Sequence, residues 1–181
     1  MVTPREPAGR PASAGQVAPG ALELVRELLN SWLIPNDTRE PDDRFDELVR
    51  RLQWTRRHAS VMRELRDDLR RVVEDGGVAA DSLTGWIGRL GMQPVIDGGQ
   101  ITYRHDRNLA ADTFAIVMAA ISAGTWPRLK ACPDRRWVFY DNTRNGGKRW
   151  CLMYAGGPDG RACGTIAKVR RYRSRQATAT E

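Results

Sequence analysis

The chain contains no apolar run approaching the roughly 18–20 residues that a membrane-spanning helix requires, which argues against a membrane partner. Its first twenty residues, MVTPREPAGRPASAGQVAPG, have no apolar core segment and so do not read as a secretory signal. Only two histidines are present, His58 and His105, and they stand alone, so a histidine-built metal or acid–base site is not expected. There is no phosphate-binding loop, no Gly-rich dinucleotide turn and no nucleophile elbow. Cysteine is scarce as well, with three residues and none before position 132. An odd, small count disfavours a disulfide framework and fits a reducing, cytoplasmic setting, where clustered thiols bind metal or stay buried.

What the chain does have is charge of one sign at one end. The formal net charge of the 181 residues is +7. Residues 126–175 carry +10 and residues 1–125 carry −2. A near-neutral body with a strongly basic C-terminal third points to a polyanionic partner, with nucleic acid first.

The Pro-, Ala- and Gly-rich residues 1–19 read as a disordered leader. From residue 20 to 125 the pattern is that of a mostly helical body. Leu22, Val25, Leu29, Trp32 and Leu33 recur at helical spacing, which predicts a first helix running toward Pro35. Pro35–Asp43 reads as an acidic loop. Phe45, Leu48, Val49 and Leu52 mark a second helix. Val61, Met62, Leu65, Leu69, Val72 and Val73 mark a strong third, stopped by Gly76-Gly77. Asp81 or Ser82 is expected to cap a fourth, which carries Trp86. MQPVI and QITYR then alternate around Asp97-Gly98-Gly99, a β-hairpin signature. Leu109, Phe114, Val117, Met118 and Ile121 predict a fifth helix ending near Gly124. The acids Asp42, Asp43, Asp46 and Glu47 read as a solvated helix start rather than a site.

Beyond Pro127 the texture changes. RWVFYD (136–141) reads as a strand, NTRNGGKR (142–149) as a turn, and Trp150-Cys151 as the start of a return strand. Thr165–Arg175 reads as a short, very basic helix, followed by a disordered tail over 176–181. The expected class is mostly α with a small β component (α+β): a helical body with one β-hairpin, then a small treble-clef-like module over 126–175.

The run LKACPDRRWVFYDNTRNGGKRWC, with ACGTIAKVRRYRSR after it, resembles the CGNR zinc finger. That finger closes bacterial proteins with an N-terminal ABATE-type body, described as stress-induced transcription regulators. The resemblance implies a zinc-bearing, DNA-binding regulator. It places zinc ligands at Cys132, Cys151 and Cys163. Three departures accompany it. Arg135 stands where the second family cysteine falls. Residues 155–161 form an insertion. Gly164-Thr165-Ile166 replaces Gly-Asn-Arg.

Structural zinc takes four ligands, and the cysteines supply three. Asp134 or water could complete the shell, or the finger could keep its hairpin with no metal and use its cysteines as small buried apolar residues. Lys168, Arg170, Arg171, Arg173 and Arg175 are the expected nucleic-acid contacts, since Lys and Arg neutralise phosphates and Arg can read guanine edges. Arg144, Lys148 and Arg149 on the turn are expected to assist. The body would sense a small molecule or form a homodimer. A protein-interaction module that no longer binds DNA specifically is the alternative. An enzyme using a three-cysteine zinc site or a pocket in the helical body is the third reading. No general base is visible beside the cysteines, so no catalytic residue is expected.

Overall fold

Met62, Leu65, Leu69, Val72 and Val73 fall on one side of the longest helix, and that side is the floor of the core. The computed structural model describes residues 16–35, 38–76, 80–152 and 162–178. In chain order these form α1 (Leu22–Leu29), β1 (Trp32–Leu33), β2 (Asp42–Asp43), α2 (Phe45–Arg51), α3 (Arg56–Glu74) and α4 (Ala80–Arg89). Next come β3 (Gln93–Asp97), β4 (Gln100–Arg104), α5 (Leu109–Ser122), β5 (Leu129–Ala131), β6 (Val138–Tyr140) and α6 (Cys163–Thr178). A single 3-10 turn, Trp126–Arg128, leads into β5. The class is α+β: six helices and three separate antiparallel strand pairs among the described residues.

Local chemistry sets the helix ends. Thr55 Oγ1 accepts from His58 N at 3.4 Å and opens α3, and Asn108 Oδ1 accepts from Ala111 N at 2.9 Å and opens α5. Gly76, at φ +69°, ends α3 in the left-handed conformation that glycine adopts without penalty. Helices α1, α3 and α5 bury Val25, Leu29, Leu65, Leu69, Phe114 and Val117 against one another, with Phe45 and Trp86 filling the margins. Trp86 keeps its indole N–H satisfied through Asp68 Oδ2 at 2.8 Å.

Several expectations need correction. The first helix stops at Leu29, because Trp32 and Leu33 pair as a strand with Asp43 and Asp42. Two residues are too few to show a strand period, so the helical spacing carried past the true end. The last two residues of the supposed acidic loop, Asp42 and Asp43, are thus a strand. Helix α4 begins at Ala80, which puts Asp81 and Ser82 inside its first turn rather than at its cap. The leader is not wholly disordered: Gln16 and Ala18 are buried, and Tyr140 N donates to Gln16 O at 3.0 Å. Residues 1–15 of that leader lie outside the described residues, as do 153–161, which hold the insertion, and 179–181 of the expected tail. The tail's Gln176 instead continues α6.

Beyond residue 126 the strand expected at Trp150-Cys151 is absent. The partner of β6 lies upstream: Leu129, Lys130 and Ala131 pair with Tyr140, Phe139 and Val138. The packing also runs straight across residue 126, because Trp126, Leu129, Val138 and Tyr140 belong to the same core as the helices. Cys132, Phe139, Cys151 and Cys163 form a second, smaller cluster, flanked by Trp137, Trp150 and Leu152.

Candidate metal centre and basic helix

The three cysteines come from three different pieces of chain. Cys132 follows β5 and begins a tight turn: its N–H donates to Trp137 O at 2.9 Å, and its carbonyl accepts from Arg136 N at 2.7 Å. Cys151 lies on the irregular stretch after the 142–149 loop. Cys163 is the first residue of α6, where Gly164 N donates to Leu152 O at 3.0 Å. All three are buried and unbridged, and their sulfurs lie within 4.8 Å of one another.

The Cys151 and Cys163 sulfurs are 3.7 Å apart. A disulfide would bring them to about 2.05 Å. A tetrahedral centre with metal–sulfur bonds of about 2.3 Å has edges of about 3.8 Å, so the spacing is that of two ligands on one metal. The thiols also share their protons unequally. Contacts from Cys151 and Cys163, with backbone N–H groups of Cys151 and Arg135, hold the Cys132 thiol far below its ordinary value. The same contact with Cys132 pushes Cys151 and Cys163 up. The position of Cys163 at the N-terminal end of α6 supplies a favourable dipole for a thiolate there.

The turn that carries Cys132 is clamped by the body, which the sequence did not suggest. Arg39 Nη2 donates to Asp134 O at 2.8 Å, Ile34 N to Arg135 O at 3.0 Å, and Arg70 Nη2 to Arg136 O at 2.9 Å. Three consecutive carbonyls are thus held from outside, and the last belongs to a residue at φ +55°. A non-glycine residue there costs roughly 1–3 kcal/mol and persists where neighbours enforce it. Asp134, the expected fourth ligand, is not in the thiol group. Its Oδ1 accepts from Arg39 Nη2 at 3.3 Å. Arg135 lies with its Cζ 5.9 Å from the centre of the Trp137 ring.

The 142–149 loop is organised by Asp141, a second feature the sequence reading passed over. Its buried carboxylate accepts from Lys130 Nζ at 2.8 Å, from Thr143 Oγ1 at 2.6 Å and N at 3.0 Å, and from Lys148 N at 2.7 Å. Burial works against the charge, but Lys130 and these N–H and O–H donors hold the carboxyl well below the usual range. Lys130 also donates to the carbonyls of Gly146 and Lys148, and Arg128 to those of Asp141, Thr143 and Arg144. An aspartate directly after an apolar strand and two residues before a threonine is an Asx-turn signal, and reading it would have found this hub.

Residues 128–176 match the CGNR zinc finger. The match leaves the body, residues 1–127, uncovered, and no curated protein matches the chain. The matched stretch contains the three-thiol cluster, which could hold a metal. Its donor set fits: three buried sulfurs at ligand spacing, with three of the four positions a structural zinc requires.

Of the expected nucleic-acid contacts, five lie on α6. Lys168, Arg170, Arg171, Arg173 and Arg175 are all exposed, as are Val169 and Tyr172. At the start of the helix Cys163 and Gly164 are buried and Ile166 and Ala167 half-buried. From Lys168 onward, every residue of α6 whose burial is described is exposed. Arg144 and Arg149 of the loop are also exposed, while Lys148 is half-buried, its Nζ 5.4 Å from the centre of the Phe139 ring. The two cation groups come from different parts of the finger, the Asp141-held loop and the exposed C-terminal part of α6. No helix among the described residues is long and apolar enough to cross a membrane.

Proposed function

We propose that this protein is a cytoplasmic, non-enzymatic DNA-binding regulator whose finger is a three-cysteine zinc module and whose reading element is α6. The observation that carries the reading is the construction of α6: a helix rooted by Cys163 in the thiol cluster, then exposed through a run of Lys and Arg. A free helix of that kind fits the major groove, where Lys and Arg neutralise phosphates and Arg can donate to guanine. Cys132, Cys151 and Cys163 would hold zinc, which supplies a cross-link between the β5–β6 turn, the loop and the base of α6. Arg144, Lys148 and Arg149 would add phosphate contacts. The change of Gly-Asn-Arg to Gly164-Thr165-Ile166 removes polar groups from the base of α6, so affinity here rests on the backbone of the DNA more than on base edges.

The test is a titration of the full chain into labelled duplex DNA, its own upstream region against a scrambled duplex, at several salt concentrations. Preferential binding at about 0.15 M salt supports the regulator. Binding that is lost at that salt, or that shows no preference, overturns it.

One observation favours a second reading, a protein partner or a second copy. Ile96 and Ile101 are direct cross-strand partners on the β3–β4 hairpin, and they are 84% and 60% exposed. A pair of large apolar side chains in water on a two-stranded ribbon is an interaction surface in search of cover. Loss of self-association in Ile96→Lys, measured by sedimentation, distinguishes a second copy from a different protein.

A further inference from the structure

We propose that the fourth corner of the thiol cluster is a binding site for a low-molecular-weight thiol, admitted through a cleft beside Cys163; the inference rests on the metal reading of the three cysteines. The cluster offers three sulfurs among the described residues and no fourth ligand. Arg135 occupies the sequence position of the missing cysteine. A guanidinium carries donors only and cannot ligate a metal. Its side chain is turned over Trp137, and its buried Nε has no hydrogen-bond partner among the described residues. Asp134 is engaged by Arg39 instead of the sulfurs.

An incomplete shell is a binding position when something can reach it. A cleft of about 240 Å³ lies between the Cys132 turn and the first turns of α6, and Cys163 forms part of its wall together with Pro133, Asp134, Trp150, Ala167 and Arg170. The chemistry selects the occupant. Three sulfurs make a soft shell, which prefers a soft fourth donor. Trp137, Trp150 and Leu152 surround the cluster and disfavour a hard, hydrated one. A divalent ion with three thiolates carries −1, and a fourth thiolate brings it to −2. Two guanidiniums, Arg135 beside the cluster and Arg170 on the cleft wall, offset that charge. A thiol would coordinate as its thiolate and release one proton to solvent. If it also bears a carboxylate, as free cysteine does, Arg170 on the cleft wall is placed to donate to it.

The experiment uses full-length protein reduced without added thiol and loaded anaerobically with cobalt(II), whose visible bands report the ligand shell. Free cysteine and 2-mercaptoethanol are titrated in separately. The expected result is a saturable change of the cobalt bands with both. Arg170→Gln should weaken saturation by cysteine about threefold to fivefold and leave 2-mercaptoethanol unchanged. Arg135→Cys, which supplies a fourth sulfur from the chain, should show four-sulfur bands from the start and no response. Cobalt uptake with bands indifferent to both thiols overturns the thiol site alone. No cobalt uptake overturns the metal reading and this one with it. A response that persists unchanged in Arg135→Cys also overturns it; if that variant does not fold, the Arg170→Gln comparison decides.

Discussion

Asn30 closes the outer edge of β6 with its own amide: Nδ2 donates to Val138 O and Oδ1 accepts from Val138 N, each at 2.8 Å. The side chain does what a third strand would do. Gln16 does the same one pair along, taking Tyr140 N through its backbone carbonyl and reaching Cys151 O through Nε2 at 2.9 Å. The finger's edge strand is thus covered by the body rather than left as a template for another chain.

Asn30→Ala leaves Val138 N without its partner and Val138 O with only the 3.3 Å donation from Arg26 Nη1. The expected loss is about 1–3 kcal/mol, with a fall in Tm of roughly 3–10 °C. Asn30→Asp keeps the acceptor and loses the donor, so it should fall between. Thermal unfolding by circular dichroism checks the order.

Asp141 makes stability acid-sensitive. Its folded pKa lies below the unfolded value of about 3.9, so the stabilisation is fully present above that value and is lost as pH falls through the depressed folded one. Asp141→Asn leaves Lys130 without its anion and should cost about 2–4 kcal/mol at neutral pH. Denaturant melts at a series of pH values should show the difference between wild type and variant shrinking below about pH 4. A constant difference down to pH 2 would remove Asp141 from the account.

Zinc should raise the stability of the metal-free protein. A ligand at about one hundred times its Kd adds about 2.7 kcal/mol, which is roughly 5–10 °C in Tm for a chain of this size. Cys132→Ser, Cys151→Ser and Cys163→Ser should each abolish the shift. Differential scanning calorimetry with and without a chelator reads it directly. Because the body clamps residues 134–136, the metal-free finger should stay folded, with β6 protected in hydrogen exchange.

On DNA, the cations of α6 should act as phosphate contacts. Each of Lys168→Gln, Arg171→Gln and Arg173→Gln should reduce the slope of log K against log salt by about 0.9 if it removes one contact. The same change at Arg56, at the opposite end of α3 from the Arg70 and Glu74 that meet Arg136, should leave the slope untouched. Fluorescence anisotropy at four or five salt concentrations is sufficient.

Much of the fold was legible because its signals are long. The stripe from Met62 to Val73 runs along one face of α3, and the pattern around Asp97-Gly98-Gly99 places the β3–β4 hairpin, although Asp97 belongs to β3, where it pairs with Gln100, rather than to the turn. The short elements were not legible. Trp32-Leu33 and Leu129–Ala131 are two and three residues long, too few for a period to show. The buried arginines were hidden for another reason. Arg26, Arg66 and Arg70 are 2–5% exposed, yet a long charged side chain in a helix reads as surface. Arg66 is held by a two-point pairing with Asp43, at 2.6 and 2.9 Å, and Arg70 by carbonyls of Leu29, Trp32 and Arg136. Those partners lie 23 to 66 residues away in sequence, and no local pattern announces them. The cysteines were legible as a candidate metal-holding group, because their chemistry is fixed by residue type; the clamp on their turn was not.

The placement of Cys163 at the very start of α6 makes the thiol cluster a hinge pin under a lever. The helix has 16 residues, hence a length of about 24 Å, and its buried residues, Cys163 and Gly164, lie at one end. A rotation of about 5° at its root displaces its far end by about 2 Å, enough to carry a guanidinium out of reach of one phosphate oxygen. Whatever sits among the three sulfurs therefore sets the aim of every cation from Lys168 to Arg175, at a distance, without touching any of them.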